Sequence, residues 1–391
     1  MYDLNWVDYP VILRKKLVYF MMALRRPVVM TLGKFTLLNT EFYLVCVLLL
    51  SVFTFAKCEE ELISVALLYR HGDRTPMLTY PNDPYNDILY DEVEAGQLTN
   101  AGKQRQYNLG KWLRSRYSNF LSQNYTTKEI YIVSDDMDRC LMSASSNLAG
   151  LYPPQGVQIW NPDLLWQPIP IHVDGGLLGG APYTCPRYDW LVAQLALSDE
   201  INRYNEENKE LLEFVGNSTG ELIVSFLQLS GINDILYIES TRNLTLPSWT
   251  QGIYPGIIQD LSAVTFSLST WTKELSKFST GLLLNEFVEK LSDPSKKIYM
   301  YSAHDTNVAN LLFTLEPRMK RFCPEFATTV IVELWKIDGE DVFKFFYRRV
   351  DELIPINVEN CGQQCSVGAF KEAFKDVIVS KEKWELDCFG I

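Results

Sequence analysis

Apolar, β-forming runs recur along this chain, and three of them end abruptly in residues able to do chemistry. Leu62-Ile63-Ser64-Val65-Ala66-Leu67-Leu68 runs into Tyr69-Arg70-His71-Gly72-Asp73-Arg74-Thr75-Pro76. Glu129-Ile130-Tyr131-Ile132-Val133 runs into Ser134-Asp135-Asp136-Met137-Asp138-Arg139. Lys297-Ile298-Tyr299-Met300-Tyr301-Ser302 runs into Ala303-His304-Asp305-Thr306. Short runs of this kind read as buried strands. A helix is expected after each: Thr99–Arg116, Arg139–Gly150 and Thr306–Leu315. The first accounts for its own start, since Thr99 is a good N-cap and Leu109, Trp112 and Leu113 form an apolar stripe. Alternating strand, loop and helix predicts an α/β fold, a three-layer sandwich around a mostly parallel central sheet. Ligands of such sheets bind beyond the carboxyl ends of the strands, where all three polar clusters fall.

Between residues 156 and 290 the pattern changes. Trp160-Asn161-Pro162 and Trp166-Gln167-Pro168 lead into helix-forming stretches such as Leu191–Phe214 and Thr265–Ser292. This predicts a mainly α-helical cap, residues 156–290, inserted between two parts of the α/β core at 57–155 and 291–391. Near the end, Thr328–Trp335 and Val342–Arg348 alternate like an antiparallel pair around the turn dipeptide Asp338-Gly339.

The first 56 residues stand apart. Arg14-Lys15-Lys16 and Arg25-Arg26 precede an uncharged apolar run from Phe42 to Ala56, short for a bilayer span and suited to a signal-peptide core. Thr54 and Ala56 offer small residues for a cut before Lys57. Met30 offers a second start, which would make residues 1–29 an extension, and an uncleaved signal anchor is the rival reading. No second apolar span lies near the C-terminus, so no stable membrane span is expected in the mature chain. Asn124, Asn217 and Asn243 each begin an Asn-X-Ser/Thr sequon, in keeping with a secreted or lysosomal lumenal protein. Of eight cysteines, Cys46 lies in the leader, which leaves an odd number and at least one free thiol.

At 391 residues, with 47% hydrophobic and 21% charged positions, the chain has globular proportions and room for a large core. A net charge of −12 with no basic block in the body argues against a nucleic-acid partner. The strand-end arginines therefore act locally, against an acidic background. No Cys/His spacing matches a zinc site, and three histidines leave few metal ligands.

Guanidiniums present planar forks of donors that fit phosphate oxygens in pairs. Phosphomonoester hydrolysis without a metal needs fixed cations around the transferring group, an in-line nucleophile and an acid for the leaving alkoxide. Arg70, Arg74 and Arg139 supply the cations, His71 the nucleophile, His304 a further donor and Asp305 the acid. The plainer reading pairs the arginines with Asp73 and Asp138 as structural ion pairs. Convergence of three clusters at three strand ends favours the chemical reading. His172, without cationic company, reads as structural.

The Arg70–Pro76 segment, with Ser302-Ala303-His304-Asp305 downstream, resembles the histidine acid phosphatase family, of the lysosomal and prostatic type, with similarity to insect venom and salivary acid phosphatases. Asp138–Ala144, Trp160–Pro168 and Leu246-Pro247-Ser248-Trp249 resemble further family segments. The resemblance implies a phosphohistidine intermediate on His71, phosphate binding by Arg70, Arg74, Arg139 and His304, and proton donation by Asp305. It also implies small-molecule phosphomonoester substrates, no cofactor or metal, and a homodimer. Cys185 is expected to pair with Cys388, and Cys361 with Cys365. A third family bridge is missing at both ends, where Ile238 and Thr329 stand, leaving Cys58, Cys140 and Cys323 unassigned, with Cys140 expected as a buried thiol. Asp135 stands where relatives usually carry Thr and adds negative charge near the site. Alternatives are a phytase-like or lipid/inositol phosphatase, or a secreted binding or allergen protein that keeps the scaffold.

Overall fold

The structure is a computed structural model that describes residues 59–173, 176–178 and 185–390. The expected leader, Cys46 and Cys58 lie outside the described residues. The chain opens with strand β1 (Glu60–Arg70), helix α1 (Asn100–Arg116), β2 (Ile130–Ser134), α2 (Asp138–Leu151) and β3 (His172–Val173). Six helices follow: α3 (Pro186–Ala196), α4 (Asp199–Glu207), α5 (Lys209–Thr219), α6 (Leu229–Thr241), α7 (Gly256–Ser267) and α8 (Lys273–Ser292). Then come β4 (Ile298–Ala303), α9 (Asp305–Leu315), β5 (Thr329–Ile337), β6 (Glu340–Arg349), β7 (Glu352–Pro355), β8 (Gln364–Ser366), α10 (Val367–Ala373) and α11 (Lys381–Phe389).

The strands make one mixed sheet in the order β3-β2-β4-β1-β5-β6-β7, with β8 also paired to β6. The first four in that order are parallel, while β5 joins β1 antiparallel and begins a meander. β1 shows why a continuous apolar run was needed: both its faces are covered. Val65, Leu67 and Tyr69 cluster with Leu109 and Leu113 of α1 and Leu148 of α2. Ala66 and Leu68 cluster with Leu284 and Phe287 of α8 and Leu312 of α9 on the opposite face. Two helical layers therefore sandwich the sheet. The helix α8 belongs to this sandwich, whereas α4 to α7 bury a core of their own around Ile201, Val215, Phe226, Leu236 and Ile258.

Local chemistry sets the ends of these elements. The Thr99 hydroxyl accepts from the Gly102 amide at 3.1 Å and starts α1. Asp338 and Gly339 take φ of 49° and 87°, the left-handed pair that a two-residue hairpin between β5 and β6 requires. Register places the chemistry: Arg70 sits opposite Ala303, and Ser134 opposite Ser302. Because β4 lies between β1 and β2, the residues after all three strands emerge side by side.

Cys185 is bonded to Cys388 and Cys361 to Cys365, while Cys140 is free and buried and Cys323 free and partly buried. The first bridge closes a chain separation of 203 residues and the second one of 4. Loop-closure entropy assigns them roughly 5 and roughly 2 kcal/mol of stability, respectively. Thermal unfolding of the two paired Cys→Ala variants should therefore show the larger loss for Cys185/Cys388. Equal losses would contradict this ranking.

Candidate active site

The loop after β1 is held by close backbone approach. A Cβ on Gly72 would come within 2.3 Å of the Gly102 carbonyl oxygen, so only glycine lets the loop lie against the start of α1. The Gly72 amide donates to Ser143 Oγ at 3.0 Å, and Gln106 donates to the Arg70 carbonyl at 2.8 Å. The Thr99 amide and hydroxyl both donate to the Asp73 carbonyl, at 3.0 and 3.1 Å. A buried polar set from α1 and α2 thus fixes the backbone on either side of His71.

His71 is 1% exposed. Its Nδ1 lies 2.8 Å from the Gly72 carbonyl, which can only accept, so Nδ1 carries the proton and Nε2 keeps its lone pair. Burial, then the charges of Arg70 and Arg74, holds the imidazole well below its ordinary pKa. The ring is therefore neutral, with a free nucleophilic nitrogen, even in mild acid. Its edge meets His304 at a centroid distance of 5.6 Å.

Three arginines lie around this ring, Arg70 and Arg74 buried and Arg139 half-buried. Arg70 pairs with Asp305 at 2.7 Å, donates to the Pro324 carbonyl at 2.6 Å and stacks over Phe326 at 4.2 Å. Arg74 makes a two-pronged pair with Asp234, 3.0 Å on each prong. Arg139 approaches His304 Nδ1 at 3.4 Å and has no carboxylate within ion-pair distance among the described residues. The Nε–H groups of all three are buried donors without an acceptor. Buried donors are nearly always satisfied, so three orphans from three segments around one histidine mark a place built for an anion rich in oxygens.

His304 caps α9, and Asp305 follows in its first turn, accepting from the Thr306 amide at 2.8 Å. Burial pushes the Asp305 carboxyl up, but Arg70, Arg74 and His304 outweigh it and hold the group below its ordinary value. His304 Nε2 meets Asp135 at 2.7 Å; since Arg139 can only donate to Nδ1, Nε2 is the donor to Asp135. The extra negative charge expected from Asp135 is therefore spent on orienting His304. Cys140 is the buried thiol expected, its pKa pushed up to about 12 by burial.

All six candidate residues, Arg70, His71, Arg74, Arg139, His304 and Asp305, converge. The plainer pairing of the arginines with Asp73 and Asp138 does not occur. Asp73 is taken by Arg105 at 2.5 Å, and Asp138 accepts from Gln97 at 3.3 Å. His172 lies away from the cluster on the edge strand β3, stacked on Tyr131 at 4.6 Å. Sequence reading missed Asp234 and Arg105. Asp234 sits within an ordinary amphipathic helix and carries no local signal. Arg105 follows Thr99 by a turn and a half, which places it near the loop that the helix start supports.

A buried histidine beside three guanidiniums, with a carboxyl at the head of a neighbouring helix, thus sits at the carboxyl ends of the parallel strands of an α/β sandwich. The model of the histidine phosphatase superfamily (branch 2) matches residues 61–213. Bovine (Bos taurus) prostatic acid phosphatase is 36% identical over 344 residues, covering 84% of this chain and 88% of the relative. Human (Homo sapiens) lysosomal acid phosphatase is 33% identical over 342 residues, covering 83% of this chain and 79% of the relative. Among solved structures, the phytase from Citrobacter braakii overlays with a TM-score of 0.64 over 82% of this chain and 98% of its own, at 15% identity, a likeness of fold alone. The chain belongs to the histidine phosphatase superfamily, branch 2, and is a phosphatase.

Proposed function

We propose that this protein is an acid phosphatase that hydrolyses phosphomonoesters through a covalent intermediate on His71. The observation that carries this reading is the ring of orphan Nε–H donors of Arg70, Arg74 and Arg139 around a neutral imidazole. The ester phosphate accepts from those donors and from His304. His71 Nε2 attacks phosphorus, a P–N bond forms, the P–O bond to the alcohol breaks, and Asp305 gives the leaving oxygen its proton. Water, deprotonated by the resulting Asp305 carboxylate, then attacks phosphorus and releases inorganic phosphate, restoring His71.

Electrostatics gives this cycle its acid preference. In the empty site Arg70 and Arg74 keep Asp305 ionised. A bound phosphate claims the same two cations, so their hold on Asp305 weakens and its pKa rises towards the acid range in which it is a donor. His71 is depressed first of all by burial, which a bound phosphate does not relieve, so its Nε2 lone pair stays free as pH falls. Turnover should therefore be high in mild acid and decline as rising pH deprotonates the bound-state acid. The cleft beside Asp305 is lined by Asp234, Glu325, Tyr237 and Asn233, with Arg70 its one cation among the described residues. That lining favours a single-phosphate substrate over an inositol polyphosphate, whose further phosphates would face carboxylates.

The location we propose is an oxidising compartment, the secretory route or the lysosomal lumen. Two disulfides agree with that. Asn124, Asn217 and Asn243 are all exposed, as sugar acceptors must be. We also propose a homodimer through the edge of β3, where Trp160, Leu164, Leu165 and Val173 expose apolar surface near a strand that has one unpaired side among the described residues.

Made in a secretory host, the chain should sediment as a glycosylated dimer and stay dimeric after enzymatic sugar removal; an unglycosylated monomer would contradict both proposals. With p-nitrophenyl phosphate at about pH 5, His71→Ala should lose at least a factor of about 1,000 in kcat while keeping its thermal midpoint. Near-normal turnover by that folded variant would remove His71 from the mechanism. Asp305→Asn should slow an alkyl phosphate by roughly 100-fold or more, slow p-nitrophenyl phosphate much less, and flatten the decline towards high pH. Equal loss on both esters would show that Asp305 is not the acid.

A further inference from the structure

The reaction described above gives Asp234 no part, yet its carboxylate stands between two of the phosphate-site arginines. Asp234 belongs to α6, and Ile232, Ile235 and Leu236 anchor that helix in the cap's own core, so packing fixes where the carboxylate stands. Its two oxygens accept from Nη1 and Nη2 of Arg74, each at 3.0 Å, and Oδ1 also lies 4.0 Å from Nη2 of Arg70. A guanidinium carries five N–H donors in one rigid plane. One hydrogen from each Nη makes an end fork, and Nε–H with the second hydrogen of Nη2 makes a side fork. Asp234 fills the end fork of Arg74. The other Nη1 hydrogen goes to the Thr75 carbonyl at 3.1 Å. What remains is the side fork, whose Nε–H is buried without an acceptor. Two parallel donors of this kind match two oxygens of a phosphate.

We propose that Asp234 is a positioning residue for phosphate: it clamps Arg74 by the end fork, keeps hold of it when substrate binds, and so presents the side fork to the phosphate oxygens. The clamp comes from the cap and the arginine from the loop after β1, so the seating of the cap sets the aim of a core cation. The same carboxylate offsets the repulsion between Arg70 and Arg74. Charge alone would argue the opposite way. A carboxylate beside an incoming phosphate repels it, and neutralising position 234 would then tighten phosphate binding. Clamping requires weaker binding instead, because an unclamped Arg74 loses its fixed geometry. The sign of the change therefore separates the two. This inference rests on the phosphate-binding role proposed above for Arg74, and not on the covalent step at His71.

The test uses the purified full chain and inorganic phosphate, its affinity read by calorimetry and as a competitive inhibition constant. Asp234→Asn, which exchanges one acceptor for a donor, should weaken phosphate binding by at least about tenfold. It should also raise KM for p-nitrophenyl phosphate more than it lowers kcat. Asp234→Glu, which restores the carboxylate on a longer stem, should bind phosphate with an affinity between those of Asp234→Asn and the wild type. In an Arg74→Ala background the further change Asp234→Asn should have little effect, since Asp234 acts through that guanidinium. Unchanged or tighter phosphate binding by Asp234→Asn, or an undiminished loss in the Arg74→Ala background, would overturn the positioning role and leave the His71 chemistry in place. Wild-type protein that does not bind phosphate would instead remove the phosphate-site reading, and this inference with it.

Discussion

Like charge held out of water is the constraint on which this molecule is organised. Arg70 and Arg74 are buried beside a half-buried Arg139, and among the described residues only two carboxylates, Asp305 and Asp234, lie close enough to pair with them. Such a group repels itself and leaves donors unsatisfied, so it persists only because the surrounding structure fixes each member. β1 does most of that fixing. Its apolar residues fill both faces of the sheet, and a strand so anchored delivers Arg70 and His71 to its end with little freedom. The α1 cap and the Gly72–Gly102 contact then hold the loop, and α2 and α9 bring Arg139, His304 and Asp305 to the same point. Stability gathered in the sandwich is thus set against electrostatic cost at the site.

The same charges tune the chemistry. In the mechanism we propose, burial together with these charges depresses His71, leaving it a neutral nucleophile in acid, and Arg70 and Arg74 keep Asp305 ionised until a phosphate binds. In that proposed mechanism, one set of arginines thereby binds the substrate, prepares the attacking nitrogen and withholds the acid until the substrate is present. Asp234 has a parallel role: its carboxylate occupies the Arg74 fork in the empty site, in the bidentate manner a phosphate would use.

Much of this was legible in the sequence. The runs at Leu62, Ile130 and Ile298 became strands because both sheet faces are covered, and their order put all three polar clusters on one edge. Asp338-Gly339 became the hairpin it spells, and Thr99 capped its helix. Helix starts were read one residue late at Arg139 and Thr306, since Asp138 and Asp305 enter their helices without a distinctive signal of their own. What could not be read was who pairs with whom. Asp73 stands next to Arg74 in the chain yet turns to Arg105, while Arg74 reaches Asp234, 160 residues away. Sequence proximity offered the wrong partner because the direction of a side chain at a strand end is set by the tertiary packing. Likewise, the nearness of Cys140 to His304 emerges only when β4 is seen between β1 and β2.

The central claim is that His71 Nε2 becomes covalently attached to phosphorus. Rapid acid-free quenching of the protein during turnover of a phosphomonoester, followed by digestion and mass spectrometry at alkaline pH, reads this directly. The account predicts an acid-labile phosphoryl group on the peptide carrying His71, formed and discharged at rates compatible with turnover. A chain that turns over substrate with no phosphopeptide at any time, or with the phosphoryl group on another residue, would contradict it.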